Sequence, residues 1–451
     1  MIDLERVERR DPMMRGANRN RVVVIGGGQA GGRLTQILGA SPRDFEVTLV
    51  CQEPHPPYER PPLTKGVLTG KTTREHCLIW RDEDEAWRNV ELRLGVCASA
   101  IDREAKRVHL SDGAELDYDT LVLAMGSSVR RFSVEGAALE GVHYLRNIDD
   151  SLAIARRFER GKRLVVVGGG FIGLEIAASA RAQGIDTTLV EASDRLLARV
   201  VPSVVADQLA KRHRSEGVRM RMGAMVERFV SGPGDALCAL ELSTGEVLPC
   251  DLAVIGVGVK ANSALAVSAG LSVDVGVKVD ASLRTDEPSI FACGDVATFW
   301  HPLFDQYVRV EAWQNAEDHA RVVAKVIMGE KAVSDAVPWF WSDQYDLSLQ
   351  IAGLPTLGSS MATRLMDDGA LILFHLTPGG RIVGATGLGR AESIGRDVRL
   401  AQILIADRAH PDPDLLRDPT IGLKSIVKTG KAKKPVVVLG SSVATPDMLR
   451  P

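Results

Sequence analysis

The chain has 451 residues, 45 % of them apolar and 25 % charged, with a formal net charge of −3. That length exceeds one ordinary core and calls for about two to four domains, with the composition of a soluble globular protein. The near-neutral total argues against nucleic acid or an anionic membrane as main partner, and no apolar run reaches the roughly 18 residues of a membrane span.

In chain order, residues 1–20 mix both charge signs, lack the apolar stretch of a secretory signal, and read as an arm. Arg21-Val-Val-Val-Ile25 then forms a β-branched strand that runs into Gly26-Gly-Gly28-Gln29-Ala30-Gly31, a helix-like stretch and a second strand, Glu46 to Val50. Arg107 to Leu110 is a short strand before the turn at Asp112-Gly113, and Leu121-Val-Leu-Ala-Met125-Gly126 is a buried strand ending in glycine. The first pattern then repeats: Arg163 to Val167, Gly168-Gly-Gly170-Phe171-Ile172-Gly173, a helix carrying Glu175 to Gln183 and ending at Gly184, and the strand Thr187 to Val190. All four strands are apolar throughout, the pattern of a parallel sheet covered on both faces. Leu252 to Gly256 and Ser289 to Gly294 repeat the strand-then-glycine form. From about Pro338 the composition changes: Trp339, Phe340 and Trp341 cluster, and Ala370–Phe374 and Arg381–Ala385 look antiparallel. Lysines 424, 428, 431, 433 and 434 lead into a tail. The six cysteines (Cys51, Cys77, Cys97, Cys238, Cys250, Cys293) show no CxxC pair and no metal-ligand spacing, as expected of buried thiols in a reduced compartment.

Each glycine-rich segment is a dinucleotide fingerprint. Its first glycine makes a tight turn, its second admits a pyrophosphate, and its third lets helix and strand close up, aiming the helix N-terminus at phosphate charge. One match is weak; two in strand–glycine–helix context are strong. Glu191 follows the second unit's returning strand, where a carboxylate accepts both ribose hydroxyls and opposes the 2′-phosphate of NADPH, so NADH is favoured. Arg195, four residues on, could soften that choice, or be a surface helix residue. In the first unit the strand ends at Cys51-Gln52, with Glu53 a late candidate for the ribose.

Tyr58-Glu-Arg60-Pro-Pro-Leu-Thr-Lys65 resembles the flavin-side motif of oxygenase-coupled, NADH-dependent ferredoxin reductases. Gly168–Ala177, Phe291-Ala-Cys-Gly-Asp295-Val296, Val310-Glu-Ala-Trp313-Gln-Asn315-Ala and Trp339-Phe-Trp-Ser-Asp-Gln-Tyr345-Asp extend the likeness over nearly everything from Arg21 to Lys428. The resemblance implies an α/β, glutathione-reductase-like fold: two Rossmann-type dinucleotide-binding domains plus a C-terminal α+β domain. On that plan 1–20 is the arm, 21–130 the first part of an FAD domain, 131–258 an inserted NADH domain, 259–336 the second FAD part, 337–428 the C-terminal domain and 429–451 the tail.

It also implies FAD and NADH as cofactors and a [2Fe–2S] ferredoxin, serving a mono- or dioxygenase of aromatic catabolism, as electron acceptor. A cytoplasmic monomer or weak homodimer, without metal, is expected. Lys65 is assigned to the flavin N5 edge, paired with Glu175; a surface lysine and an unrelated glutamate are the bland alternative. Asp295 is assigned to the ribityl hydroxyls with Val296 beside it, Arg130 to the FAD pyrophosphate, and Arg60, Met125 and Gly126 to further flavin contacts. Trp313 is placed near the isoalloxazine and nicotinamide, or else in the core. Phe171, Ile172, Gly256 and Gly258 are placed on the NADH side, with helix packing an equal explanation of Ile172. The chain departs from the family at Met125, where threonine is usual, at Ser128, where arginine is, and at Ala261, where proline is common. An NADH oxidase or disulfide reductase is the rival enzyme, needing a cysteine that the Tyr58–Lys65 stretch lacks; a redox-sensing interaction flavoprotein is the rival non-enzyme.

Overall fold

The computed structural model describes residues 19–41, 45–81 and 85–430; the expected arm up to residue 18 and the tail from residue 431 lie outside the described residues. The first described elements include β1 (Asn20–Ile25), α1 (Gln29–Gly39), β2 (Phe45–Cys51), β3 (Val90–Leu94) and β4 (Thr120–Leu123). Val22 to Ile25 and Val47 to Cys51 are buried along their whole length, because α1 covers one sheet face and later chain covers the other.

β5 (Val142–Tyr144) opens a second sheet, followed by β6 (Arg163–Val167), α2 (Phe171–Ala182), β7 (Asp186–Glu191), α3 (Ser203–Ser215), β8 (Arg219–Met222) and β9 (Leu252–Ile255). Its order is β8-β7-β6-β9-β5, with every pairing parallel. Only then does β10 (Ile290–Ala292) return to the first sheet and pair parallel with β4, giving the order β10-β4-β1-β2-β3. The second nucleotide unit is therefore inserted in the first. α4 (Trp313–Ile327) packs on α1 and completes that layer.

The C-terminal part is a five-stranded antiparallel sheet of β11 (Trp339–Gln344), β12 (Leu347–Gly353), β13 (Ser360–Leu365), β14 (Leu371–Leu376) and β15 (Ile382–Gly389), in the order β11-β12-β15-β14-β13. α5 (Ala391–Ala406) lies on it. One apolar cluster joins Tyr58 and Leu63 of the flavin-side motif, Leu174 and Ile176 of α2, and Leu349 and Leu371 of this sheet. Each such side chain, fully buried, contributes about 1.5–3 kcal/mol, so three segments distant in sequence are held together where the candidate site forms. Among the described residues no helix is long and apolar enough to cross a membrane.

Candidate functional site

The two glycine segments fold almost identically. Gly26 and Gly168 sit at φ +113° and +112°, open only to glycine, and their amides donate 2.8 Å bonds to Val50 and Val190 carbonyls. A Cβ on Gly31 would lie 1.9 Å from the Gly26 oxygen, and one on Gly173 2.0 Å from the Gly168 oxygen. Gly28 and Gly170 are the N-caps of α1 and α2, both without a side-chain cap. A Cβ on Gly170 would meet nothing within 4 Å, and one on Gly28 only the Arg60 guanidinium at 4.0 Å. Uncapped amides at the start of two long helices thus face open space, which is what a pyrophosphate needs.

Around the first of these openings, Arg60 Nη2 pairs with Glu53 Oε1 at 2.6 Å, and Tyr58 donates to the other Glu53 oxygen. Arg60 also donates to the Arg146 carbonyl at 2.6 Å. The Arg146 guanidinium reaches Asp295 at 3.7 Å and stands 3.3 Å from where a Gly126 side chain would begin. Burial, and next the Arg60 cation, lower the Arg146 pKa. Two guanidiniums crowded in this way call for an anion. Asp295 accepts from Ser127 Oγ at 3.0 Å, its main-chain oxygen accepts from Arg309 at 2.7 Å, and Val296 is buried behind it. Ala30 packs on the turn at Gly294, and Gln29 donates to the buried Glu317 at 2.8 Å while its own Oε1 is buried without a partner. The Arg130 amide donates to the Gly258 carbonyl and its side chain to the Val259 carbonyl at 3.2 Å. Met125 and Gly126 carbonyls accept from Asn262, and Ser128 Oγ donates to Asn262 Oδ1 at 2.7 Å, so the departure at Ser128 is absorbed locally.

Between the units, Lys65 Nζ lies 2.8 Å from Glu175 Oε2. Lys65 ends a short 3-10 turn of the flavin-side motif, while Glu175 projects from α2 and is 5 % exposed. Thr64 donates to Oε2 of the same carboxylate, and Ser342 of β11 donates to Oε1 at 2.6 Å. Trp313 opens α4, makes an edge contact with Trp341 at 5.8 Å, and keeps a buried Nε1 without a partner; Trp341 stacks on Trp339 at 5.0 Å.

On the second unit, Glu191 Oε2 accepts from Gly169 N at 2.6 Å and Oε1 from Ser193 N at 2.7 Å. Arg195 lies in the loop before α3, not in a helix as expected, and donates to Val201 and Ala198 carbonyls at 2.8 and 2.5 Å. Gly256 closes on Gly168, and Gly258 holds φ +102°. Phe171 packs on Phe340 at 4.3 Å, whereas Ile172 stays 43 % exposed, so helix packing does not account for it. The open helix starts, the two crowded guanidiniums and the orphaned Gln29 and Trp313 atoms all fit FAD and a nicotinamide dinucleotide.

Sequence reasoning missed Arg146, which carries no motif signal. It also missed Thr64 and Ser342, although both sit inside motifs it quoted. The cysteines are unpaired; burial pushes the Cys51, Cys250 and Cys293 thiols up to about 12 and Cys77 to about 11, far from a reactive thiolate.

Residues 20–320 match the pyridine nucleotide-disulphide oxidoreductase family, and residues 339–427 the reductase C-terminal family. The ferredoxin–NAD(+) reductase component of an anthranilate 1,2-dioxygenase system from Burkholderia cepacia is 39 % identical over 90 % of this chain and 98 % of its own. Putidaredoxin reductase from Pseudomonas putida is 36 % identical over 92 % and 99 %. The reductase chain in a crystal structure of the covalent putidaredoxin reductase–putidaredoxin complex superposes with a TM-score of 0.87 at 34 % identity, covering 92 % of this chain and 100 % of that one. With the twin fingerprints and the glutathione-reductase-like plan in place, the chain belongs to the pyridine nucleotide-disulphide oxidoreductase family, among the ferredoxin–NAD(+) reductases of oxygenase systems.

Proposed function

We propose that this protein takes electrons from NADH through one FAD and delivers them to a [2Fe–2S] ferredoxin that serves a mono- or dioxygenase. The observation that carries this reading is the Lys65–Glu175 pair, which joins the flavin-side motif to the helix of the inserted unit at 2.8 Å. When bound, FAD supplies the conversion of a two-electron hydride into single-electron steps. The chain supplies position and field. Gly26, Gly28, Gly31 and α1 hold the FAD pyrophosphate with Arg60 and Arg146 as counter-charges, while Glu53 and Asp295 face its hydroxyls. Gly168, Gly170, Gly173 and α2 hold the NADH pyrophosphate, Glu191 the ribose, and Gly256, Gly258 and Ile172 border the nicotinamide. Lys65 places a positive charge where negative charge develops, and Glu175 keeps the ammonium aimed. Trp313 would lie near the isoalloxazine and nicotinamide rings. Six unpaired cysteines suit the cytoplasm, where we place the protein as a monomer or weak homodimer.

Lys65→Ala and Glu175→Ala should each slow flavin reduction by NADH by about tenfold or more while FAD content is kept. The double variant should be little worse than the poorer single one, because the two residues act as a unit. Stopped-flow absorbance of the flavin band measures this. Unchanged rates in both single variants would return the pair to a purely structural role.

A further inference from the structure

The Glu175 carboxylate does not end at Lys65. Behind it, a file of buried polar groups crosses from β11 to α3. Ser342 Oγ donates to Glu175 Oε1 at 2.6 Å, and Gln344 Nε2 lies 3.1 Å from Ser342 Oγ. Gln344 Oε1 lies 2.8 Å from His213 Nε2, and Tyr345 OH lies 3.1 Å from His213 Nδ1. Ser342 and His213 are 0 % exposed and Gln344 is 2 % exposed, so water cannot substitute for the bonds that run from Glu175 to His213.

The charge at one end dictates the orientation of every group. An ionised carboxylate only accepts, so Ser342 must donate to it and turn its lone pairs toward Gln344. Gln344 must then offer its NH2 group to Ser342 and its oxygen to His213. His213 must carry its proton on Nε2 and leave Nδ1 as acceptor for the Tyr345 hydroxyl. All four bonds point the same way, toward Glu175, and such a file polarises along its length. A primary amide does not hand protons on as a hydroxyl or imidazole does, so the file transmits orientation and polarity.

Two further observations describe the outer end of the file. Tyr345 has φ +61°, as the first residue of the two-residue turn between the paired Gln344 and Leu347 calls for. Its ring is flanked by the His213 ring at 5.0 Å edge-on and by the Arg212 guanidinium 4.9 Å over the tyrosine face, with Arg212 also paired to Asp346. The turn that carries Tyr345 joins β11 to β12, so the C-terminal sheet is pinned to α3 of the inserted unit.

We propose that His213, Gln344 and Ser342 are positioning residues: a one-directional hydrogen-bond file, anchored at Tyr345, that holds the Glu175 carboxylate aimed at Lys65. The inference rests on the flavin-edge reading of the Lys65–Glu175 pair. It makes the C-terminal sheet part of the hydride-accepting site although none of these three residues is assigned a cofactor contact.

The test is made on the full-chain holoenzyme labelled with 15N-histidine, with the His213 resonances assigned by His213→Gln. In the unmutated protein His213 should be a single Nε2–H tautomer at neutral pH. Ser342→Ala cuts the file without touching His213, and the tautomers should then mix. His213→Phe should slow flavin reduction by NADH roughly tenfold, and His213→Gln, which keeps one donor and one acceptor, should restore it to within about threefold. Tyr345→Phe removes only the hydroxyl on the far side of His213 from the carboxylate and should leave the Nε2–H tautomer in place; the Ser342→Ala readout keeps the test open if His213→Phe fails to fold. An unchanged tautomer in Ser342→Ala, mixed tautomers in Tyr345→Phe, or a folded His213→Phe that reduces flavin at the unmutated rate, overturns the proposal. The tautomer readout involves no turnover, so it decides on the file even if Lys65→Ala leaves flavin reduction unchanged, the outcome that removes the flavin-edge reading itself.

Discussion

The two nucleotide units share one backbone and differ in what completes them. Their turn glycines, φ +113° and +112°, and the crowding at Gly31 and Gly173 are interchangeable. The second unit finishes itself: Glu191 at the end of its own β7 caps Gly169 and Ser193 amides. The first is finished by distant chain. β10 supplies its outer strand, the Gly294 turn packs on Ala30, and His319 of α4 accepts from Gly294 N at 3.1 Å. A short motif thus fixes the phosphate cradle, while selectivity and retention come from whatever the fold brings to its rim.

The sharpest way to separate the units is to make the same local clash in each. Gly31→Ala puts a methyl 1.9 Å from the Gly26 oxygen, and Gly173→Ala one 2.0 Å from the Gly168 oxygen. Each should cost about 3 kcal/mol or more, because the obstacle is backbone that cannot move alone. Gly31→Ala should purify without flavin. Gly173→Ala should stay yellow yet bind NADH at least tenfold more weakly in a titration. Loss of flavin in both would mean that the units are not separable and that the comparison is false.

The same contrast explains how much could be read ahead of the structure. The cradles, the four Val-rich strands and Glu191 lie within short windows, where strand, glycine and carboxylate spacing is dictated by local geometry. The C-terminal sheet was visible as a change of composition from about Pro338 and as antiparallel-looking strands at 370–374 and 381–385. What joins the windows was not visible. Arg146 lies between motifs and gains its meaning only by meeting Arg60 and Asp295. The expected place of Arg130 beside the FAD pyrophosphate came from likeness alone; in the structure its side chain donates to the Val259 carbonyl. Arg195 was expected on a helix, yet carbonyls of its own loop hold it. Long-range polar contacts leave no period in a sequence.

A second prediction uses the distant support of the first unit. His319 is wholly buried, and burial, with the neighbouring His301 next, lowers its pKa to about 3. Between pH 6.5 and that value the unfolded chain binds a proton that the folded chain excludes. Stability contributed by neutral His319 is therefore complete above the ordinary histidine pKa and falls as pH drops, by up to about 1.4 kcal/mol per pH unit. His375, lowered to about 4 by burial in the C-terminal sheet, adds a slope of the same sign. His319→Gln keeps an acceptor for Gly294 N and removes one of these slopes. From pH 6.5 to 5 the unmutated protein should lose about 2 kcal/mol more than the variant, read as the urea midpoint of flavin release. Parallel pH profiles would show that the Gly294 turn does not depend on this histidine.

The smallest effect expected lies at the rim of the second unit. NADH should be preferred over NADPH at least tenfold in kcat/KM, about 1.4 kcal/mol, because on the proposed reading the Glu191 carboxylate would accept from ribose hydroxyls and repel a 2′-phosphate. The Arg195 guanidinium, the residue best placed in sequence to welcome a phosphate, donates to the carbonyls of Val201 and Ala198. Glu191→Ala would remove the charge but also strand the Gly169 and Ser193 amides that the carboxylate now satisfies. Glu191→Gln is the cleaner variant, since its oxygen keeps one of those amides paired while the charge is gone. Its kcat/KM should fall for NADH and rise for NADPH, narrowing the ratio from both sides, with FAD content unchanged because the first unit has no part in the choice. Equal efficiency with both nucleotides before any substitution would show that Glu191 serves the backbone of its own loop and does not select the nucleotide.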